Sequence, residues 1–312
     1  MDQSLTVRVI DASTAAVFVS ADVRLYPIGT PGERCAVTSQ EGGYSFDDLP
    51  DGEYSLAVYS PRHVALYERV TLLPGMTKVV TVQVSPAGFI SGQILDERGE
   101  PPERCWFTLI RHGERRGRSG YIDDSGDHDV SKDGTFCSPP LRSARYFLRF
   151  AGLLRMPAAS GVSRELESPL DRYFDFLYPS ADVLAGAEGF DVSAGEALSG
   201  LQLRIPRPIR YTIRGRVIGD LPGEPANTSV MFTREFGAID GIGGGSGIPV
   251  QADGSFEDKM HPGIYTAELS EFSAPDRDGR AHLVGRFGKV KLDLTQGDLY
   301  DIEIHVSSEG EE

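Results

Sequence analysis

Apolar and polar residues alternate along most of this chain, in short runs. Leu5, Val7 and Val9 point one way; Lys78 to Val84 (KVVTVQV) and Leu198 to Ile205 behave alike. A period of two over about four to eight residues marks a half-buried β-strand. Gly- and Pro-containing stretches separate the runs, such as Pro27 to Gly32 (PIGTPG) and Asp96 to Pro102. Helical periodicity is scarce. Its best instance is Ser180 to Ala187, with Ser180 placed as an N-cap.

One stretch organises the rest. In Gln40 to Tyr59, Tyr44, Phe46, Tyr54, Leu56 and Val58 alternate with small or polar residues around Asp47-Asp48-Leu49-Pro50-Asp51-Gly52. The pattern predicts a hairpin, two strands joined by a turn in which Pro presets φ and Gly accepts φ > 0. It recurs at Ser131 to Phe150 and at Gln251 to Leu269. Each copy opens on Gly-x-aromatic, at Tyr44, Phe136 and Phe256. A tyrosine follows ten, ten and nine residues later, at Tyr54, Tyr146 and Tyr265. Each copy is followed by a Gly turn (Gly75, Gly195, Gly297) and a closing strand. A spacing repeated three times predicts three related units: residues 1–86, 87–208 with an insertion at 151–190, and 209–308, ending in an acidic tail at 309–312. The expected fold class is all-β, three tandem Ig-like or transthyretin-like antiparallel β-sandwiches.

Composition adds the surface. The 36 glycines and 20 prolines among 312 residues suit a turn-rich β protein. The net charge is −15, and all three units are net negative. That argues against nucleic acid or an anionic membrane as partner. The one basic run, Arg111, Arg115, Arg116 and Arg118, reads as a solvated loop. No apolar run approaches the roughly 20 residues that span a bilayer, so direct membrane insertion is not expected.

The residues resemble the carboxypeptidase regulatory-like family of transthyretin-like β-sandwich domains. Gly215-Arg216-Val217 with Gly223-Glu224-Pro225, and Gly92-Gln93-Ile94 with Gly99-Glu100-Pro101, fit its opening strand and turn. Asp133-Gly134-Thr135-Phe136 and Asp253-Gly254-Ser255-Phe256 fit its middle, and Leu49-Pro50-Asp51-Gly52-Glu53-Tyr54 and His261-Pro262-Gly263-Ile264-Tyr265 fit its later turn. The first unit departs by carrying Val7 at the first glycine, the second by carrying Ala144 at the turn glycine. The resemblance implies a non-enzymatic binding, accessory or spacer role outside the cytoplasm: periplasmic, cell-surface or secreted.

Chemistry is sparse beside these fold motifs. The six histidines show no metal-binding spacing. Gly244-Gly245-Ser246-Gly247 is neither a nucleophile elbow nor a P-loop. Asn227 is the single asparagine, which makes a Lys–Asn crosslink a remote expectation. Asp123, Asp124, Asp127 and Asp129 form an acidic loop whose hard oxygens suit calcium, the only cofactor considered, against the plainer reading of a solvated loop. Trp106, Tyr173 and Tyr178 are candidates for stacking on a ligand, with Phe174 and Phe176 expected in the core. Cys105 and Cys137 fall in one unit and either pair as a disulfide or remain thiols.

The expected function is a non-catalytic extracytoplasmic module that binds protein or carbohydrate or serves as structure. Alternatives are a self-associating subunit of a surface fibre or adhesin stalk, and the accessory part of a glycan- or peptide-hydrolysing enzyme.

Overall fold

The computed structural model describes residues 3–29, 31–39, 41–115, 117–155, 172–219, 228–236, 245–272 and 283–306. Arg116, Gly223 to Pro225, Asn227, residues 237–244 of the glycine loop and the acidic tail lie outside these. The fold is all-β. Among the described residues no helix is long and apolar enough to cross a membrane.

The chain divides into two compact units, residues 1–92 with 137–145 and 191–201, and residues 93–136 with 146–190 and 202–312. In the first, β1 (Ser4–Asp11), β4 (Gly43–Phe46) and β7 (Thr77–Val84) form a sheet of order β4-β1-β7. β2 (Asp22–Pro27), β3 (Arg34–Val37), β5 (Gly52–Ser60) and β6 (His63–Leu72) form a sheet of order β3-β2-β5-β6. Their apolar faces share one core, with Leu5, Val7 and Val9 meeting Val23, Leu25, Leu56 and Val58. β1 and β7 run parallel, an arrangement that alternation alone does not reveal.

The same two strand orders recur. β8 (Phe89–Leu95), β11 (Thr135–Cys137) and β15 (Ala197–Arg204) give β11-β8-β15. β9 (Arg104–Arg115), β10 (Arg118–Asp129), β12 (Ala144–Leu153) and β13 (Tyr173–Leu177) give β10-β9-β12-β13, and β14 (Gly189–Val192) also pairs with β12. β16 (Tyr211–Ile218), β19 (Ser255–Met260) and β22 (Leu299–His305) give β19-β16-β22. β17 (Thr228–Glu235), β18 (Gly245–Pro249), β20 (Ile264–Phe272) and β21 (Leu283–Asp293) give β18-β17-β20-β21. Within its sheet β13 takes the place of β6 and β21, so part of 151–190 is a shared strand rather than an insertion.

The expected hairpins are not hairpins. β4 pairs with β1, whereas β5 pairs with β2 and β6; β11 and β12, and β19 and β20, divide in the same way. The chain crosses between sheets at Asp47 to Asp51, and Leu49 and Tyr54 turn inward, each 4% exposed. The Tyr54 hydroxyl donates to the Pro50 carbonyl at 2.7 Å, and that of Tyr265 to the His261 carbonyl at 2.9 Å. A phenol bonded to the backbone four residues upstream is a tyrosine corner, which accounts for the spacing in these two copies. The glycine that opens each copy also has one role. Gly42, Gly134 and Gly254 sit at φ +69°, +82° and +81°. Each donates its N–H at 2.9 Å to the carbonyl three residues earlier, a turn that glycine adopts without steric cost.

The glycine missing from the first unit has a visible consequence. Gly215 lies opposite Phe256, and a Cβ at Gly215 would meet that ring at 2.4 Å. Phe256 therefore packs over bare backbone and is 1% exposed. In β1 the corresponding residue is Val7, opposite Tyr44; its side chain fills the space and Tyr44 is 41% exposed.

Two further expectations change. Ser180 to Ala187 is not an α-helix; it holds a single 3-10 turn at Leu184–Gly186. Ala181, Leu184 and Ala187 instead pack on the apolar cluster around Phe236. The acidic stretch 123–129 is not a loop but the end of β10, with a register shift between Asp123 and Asp127. Carboxylates along such an edge oppose further strand pairing.

Tyr265→Phe removes a buried hydrogen bond while keeping the ring. It is expected to lower unfolding free energy by about 1–2 kcal/mol in urea titrations, with little change in slope.

Candidate functional site

β12 is buried without a break from Tyr146 to Gly152, so both faces of its sheet are covered. Residues directly opposite in a ladder share a face. Phe107, Phe150 and Phe176 form one row, with ring centroids 5.9 Å apart between neighbours, Phe150 stacked on Phe176 and tilted against Phe107. That row faces the sandwich core, where Phe136 also lies 5.2 Å from Phe150. Phe174 and Phe176, 1% and 2% exposed, are core residues as expected.

The opposite face holds Trp106, Ala151 and Asp175 in one row and Thr108, Arg149 and Leu177 in the next. Arg149 is bidentate on Asp175, at 2.8 Å from Nε to Oδ1 and 2.7 Å from Nη2 to Oδ2. Arg234 at the end of β17 reaches the same carboxylate, its Nη1 3.2 Å from Oδ2. The Arg234 guanidinium also donates to the carbonyls of Asp175 at 3.0 Å, Asp182 at 3.2 Å and Pro262 at 2.7 Å. The Phe236 ring receives both cations, Arg149 at 5.0 Å and Arg234 at 4.7 Å. The ion-pairing side chains of Arg149, Asp175 and Arg234 are only 7%, 7% and 3% exposed.

Burial pushes the Asp175 pKa up, but the hydrogen bonds from Arg149 and the two positive charges win, leaving it below the usual carboxylate range. Asp182, desolvated with less compensation from Arg234, is raised. His261 sits in the turn before Pro262 with its ring 5.4 Å from Tyr173. Burial first, then the charges of Arg210 and Arg234, lower its pKa to about 4. Although it lies in a turn, His261 is only 9% exposed. Its Nε2 and the Nε of Arg234 are buried with no partner among the described residues. Gly263 permits this packing: a Cβ there would lie 2.7 Å from Arg234 Nε.

Trp106 and Tyr173 come together, with ring centroids 6.4 Å apart, and both are half-buried. Tyr173 is drawn into the same packing, and burial pushes its hydroxyl up to about 12. Tyr178 is separate and packs on Phe190 at 5.0 Å. Asp129 pairs across the ladder with Trp106, and Asp127 with Thr108, whose hydroxyl donates to Asp127 at 2.6 Å. Asp123 accepts the Gly126 N–H at 2.7 Å. The Asp124 side chain lies outside the described residues. Among the described residues no group of three or more His, Cys, Asp or Glu side chains converges as metal ligands would.

Of the two alternatives left open for Cys105 and Cys137, the structure has both as free thiols. Cys105 is buried on β9, and its pKa is raised by desolvation; Cys137 is exposed on β11. Their strands belong to different sheets, and each Sγ contacts a nearby backbone carbonyl.

The sequence reading missed Arg149, Asp175 and Arg234, although each left a mark. Asp175 interrupts an aromatic run, Arg149 interrupts Phe147-Leu148-Arg149-Phe150, and Arg234 continues the inward register of Val230 and Phe232. A charge on an inward position needs a partner. Which partner depends on strands far away in the chain.

Residues 4–85 match the carboxypeptidase regulatory-like domain. No curated protein matches the sequence. Similar solved structures include the Bacillus anthracis TIE protein, at 14% identity and TM-score 0.26, covering 97% of this chain and 50% of that one. The major pilin subunit BcpA of Bacillus cereus has 11% identity and TM-score 0.25, covering 98% and 100%. The minor pilin GBS52 of Streptococcus agalactiae has 11% identity and TM-score 0.31, covering 71% and 100%.

Asp175→Asn leaves two buried guanidiniums without their anion and is expected to cost about 3–5 kcal/mol in chemical denaturation. His261 predicts a pH dependence. Its folded pKa of about 4 lies below the unfolded 6.5, so between these values the unfolded chain binds the extra proton. Stability should therefore fall as pH drops from about 6.5 to 4, by up to about 3 kcal/mol. The depressed carboxyl of Asp175 adds a loss only at lower pH, as it protonates in the folded state. Urea midpoints at pH 7.5, 5.5 and 4.5 should flatten in His261→Gln.

Proposed function

We propose that this chain is a non-catalytic module that works outside the cytoplasm, holding a fixed geometry and offering binding faces at the cell surface. The observation that carries this is how the chain uses its buried charge. Arg149, Asp175 and Arg234 bind one another and neighbouring carbonyls, with Phe236 against both cations. Such a cluster specifies packing between sheets. The match of residues 4–85 to a regulatory-like domain supports the same reading. So does the acidic surface, which keeps a displayed protein soluble.

Protease treatment of intact source cells, followed by immunoblotting, tests the placement. The band is expected to disappear from intact cells while a cytoplasmic control survives. Purified chain is expected to turn over neither glycoside nor peptide substrates. A band protected until the cells are lysed, or measurable turnover, overturns the proposal.

A further inference from the structure

The outward face of sheet β3-β2-β5-β6 carries rings and charges that the core does not use. Val23 and Leu25 of β2 point inward, so Asp22, Arg24 and Tyr26 point out. Asp22 lies opposite Tyr59, and Arg24 lies in one row with Ala57 and Tyr67. The Tyr59 and Tyr67 rings meet edge to face at 5.9 Å and 89°, with their hydroxyls 2.9 Å apart. Tyr67 is 65% exposed.

The polar groups are held in place around these rings. Arg24 lies 5.1 Å over the Tyr59 ring and donates twice to Asp22 Oδ2, from Nε at 3.0 Å and Nη2 at 2.8 Å. Its Nη1 is 3.6 Å from Glu33. Glu33 also accepts the Tyr26 hydroxyl, which holds its carboxyl below the usual range.

We propose that this face binds a neutral carbohydrate chain, with Tyr67 and Tyr59 as stacking platforms and Asp22, Arg24 and Glu33 as hydrogen-bond partners for sugar hydroxyls. The inference rests on the reading of the chain as a non-catalytic binding module and names its ligand. A pyranose offers an apolar C–H face to an aromatic ring and a rim of hydroxyls that act as both donors and acceptors. Here the exposed Tyr67 ring, with the half-buried Tyr59 ring at its edge, stands beside a fixed guanidinium and two carboxylates, which supply both complements. Arg69, opposite Ser55, and Glu53, 4.0 Å from it, share this outward face, so three carboxylates outnumber two guanidiniums and the face does not attract an anionic polymer. A protein partner would have to strip water from an ion-paired set, which is costly. Sugar hydroxyls replace those waters in kind. The half-buried Trp106 and Tyr173 are engaged with each other and with His261, and they leave a less open surface than Tyr67.

Affinity electrophoresis of the full chain through gels containing a neutral β-glucan, mannan or xylan tests this, with carboxymethyl cellulose as the charged control. At least one neutral polysaccharide is expected to retard the chain. Tyr67→Ala should weaken the interaction about ten-fold without shifting the thermal midpoint. Tyr67→Phe, which keeps the ring, and Trp106→Ala should both retain it. Unchanged mobility in every neutral gel, retardation by the charged polymer alone, or retardation that survives Tyr67→Ala overturns the site. So does a photocrosslinker at position 67 that captures a cell-surface protein in place of glycan. If the gels fail while intact-cell proteolysis still removes the band, the ligand is wrong and the surface module stands. A band protected in intact cells overturns the module reading itself.

Discussion

Asp175 is the single carboxylate against which two buried guanidiniums are placed, and the packing of residues 93–136, 146–190 and 202–312 depends on it. Arg149 comes from the middle of β12 and Arg234 from the end of β17. Neither cation could stay out of water alone, because a buried unpaired charge costs several kcal/mol. Together they commit one face of the five-stranded sheet to a fixed neighbour. The Phe236 ring, Gly263 and the backbone carbonyl of Pro262 are shaped around that commitment. His261 follows from it: placed beside Arg210 and Arg234 in a dry setting, it is kept neutral where an ordinary histidine would begin to titrate.

The recurring residues tell a different story. Gly-x-aromatic and the later tyrosine are devices for turning the chain and carrying it from one sheet to the other. Tyr54 and Tyr265 close corners with the same bond. Because they recur for the sake of the fold, they are poor guides to what any one unit binds. The tyrosines that matter for binding are Tyr59 and Tyr67, which stand on an outward face and lie outside the repeated spacing. The contrast between Val7 with Tyr44 and Gly215 with Phe256 shows that a departure from a motif can be read physically: a side chain where backbone was bare moves the ring that would have covered it.

Much of the fold was legible from period and punctuation. β1, β7 and β15 follow the alternation of Leu5 to Val9, Lys78 to Val84 and Leu198 to Ile205, and the turns fall at their glycines. The core positions of Phe174 and Phe176 were equally plain. The candidate site was much less so. Trp106 and Tyr173 do meet, but the charges behind them went unseen, the acidic loop proved to be strand, and the two cysteines did not pair.

By itself the sequence determined most of the strand positions, the recurring Gly-x-aromatic and tyrosine spacing, and the inward or outward sense of many side chains, because these are properties of a few consecutive residues. Only the tertiary structure decided which sheet each strand joins, that β12 is covered on both faces, and that Arg149 and Arg234 share Asp175. A period of two says which side of a strand faces in. It says nothing about which distant strand supplies the hydrogen bonds or the counter-charge. Those choices rest on contacts dozens of residues apart, and a turn such as Asp47 to Asp51 reads the same whether its strands pair or part.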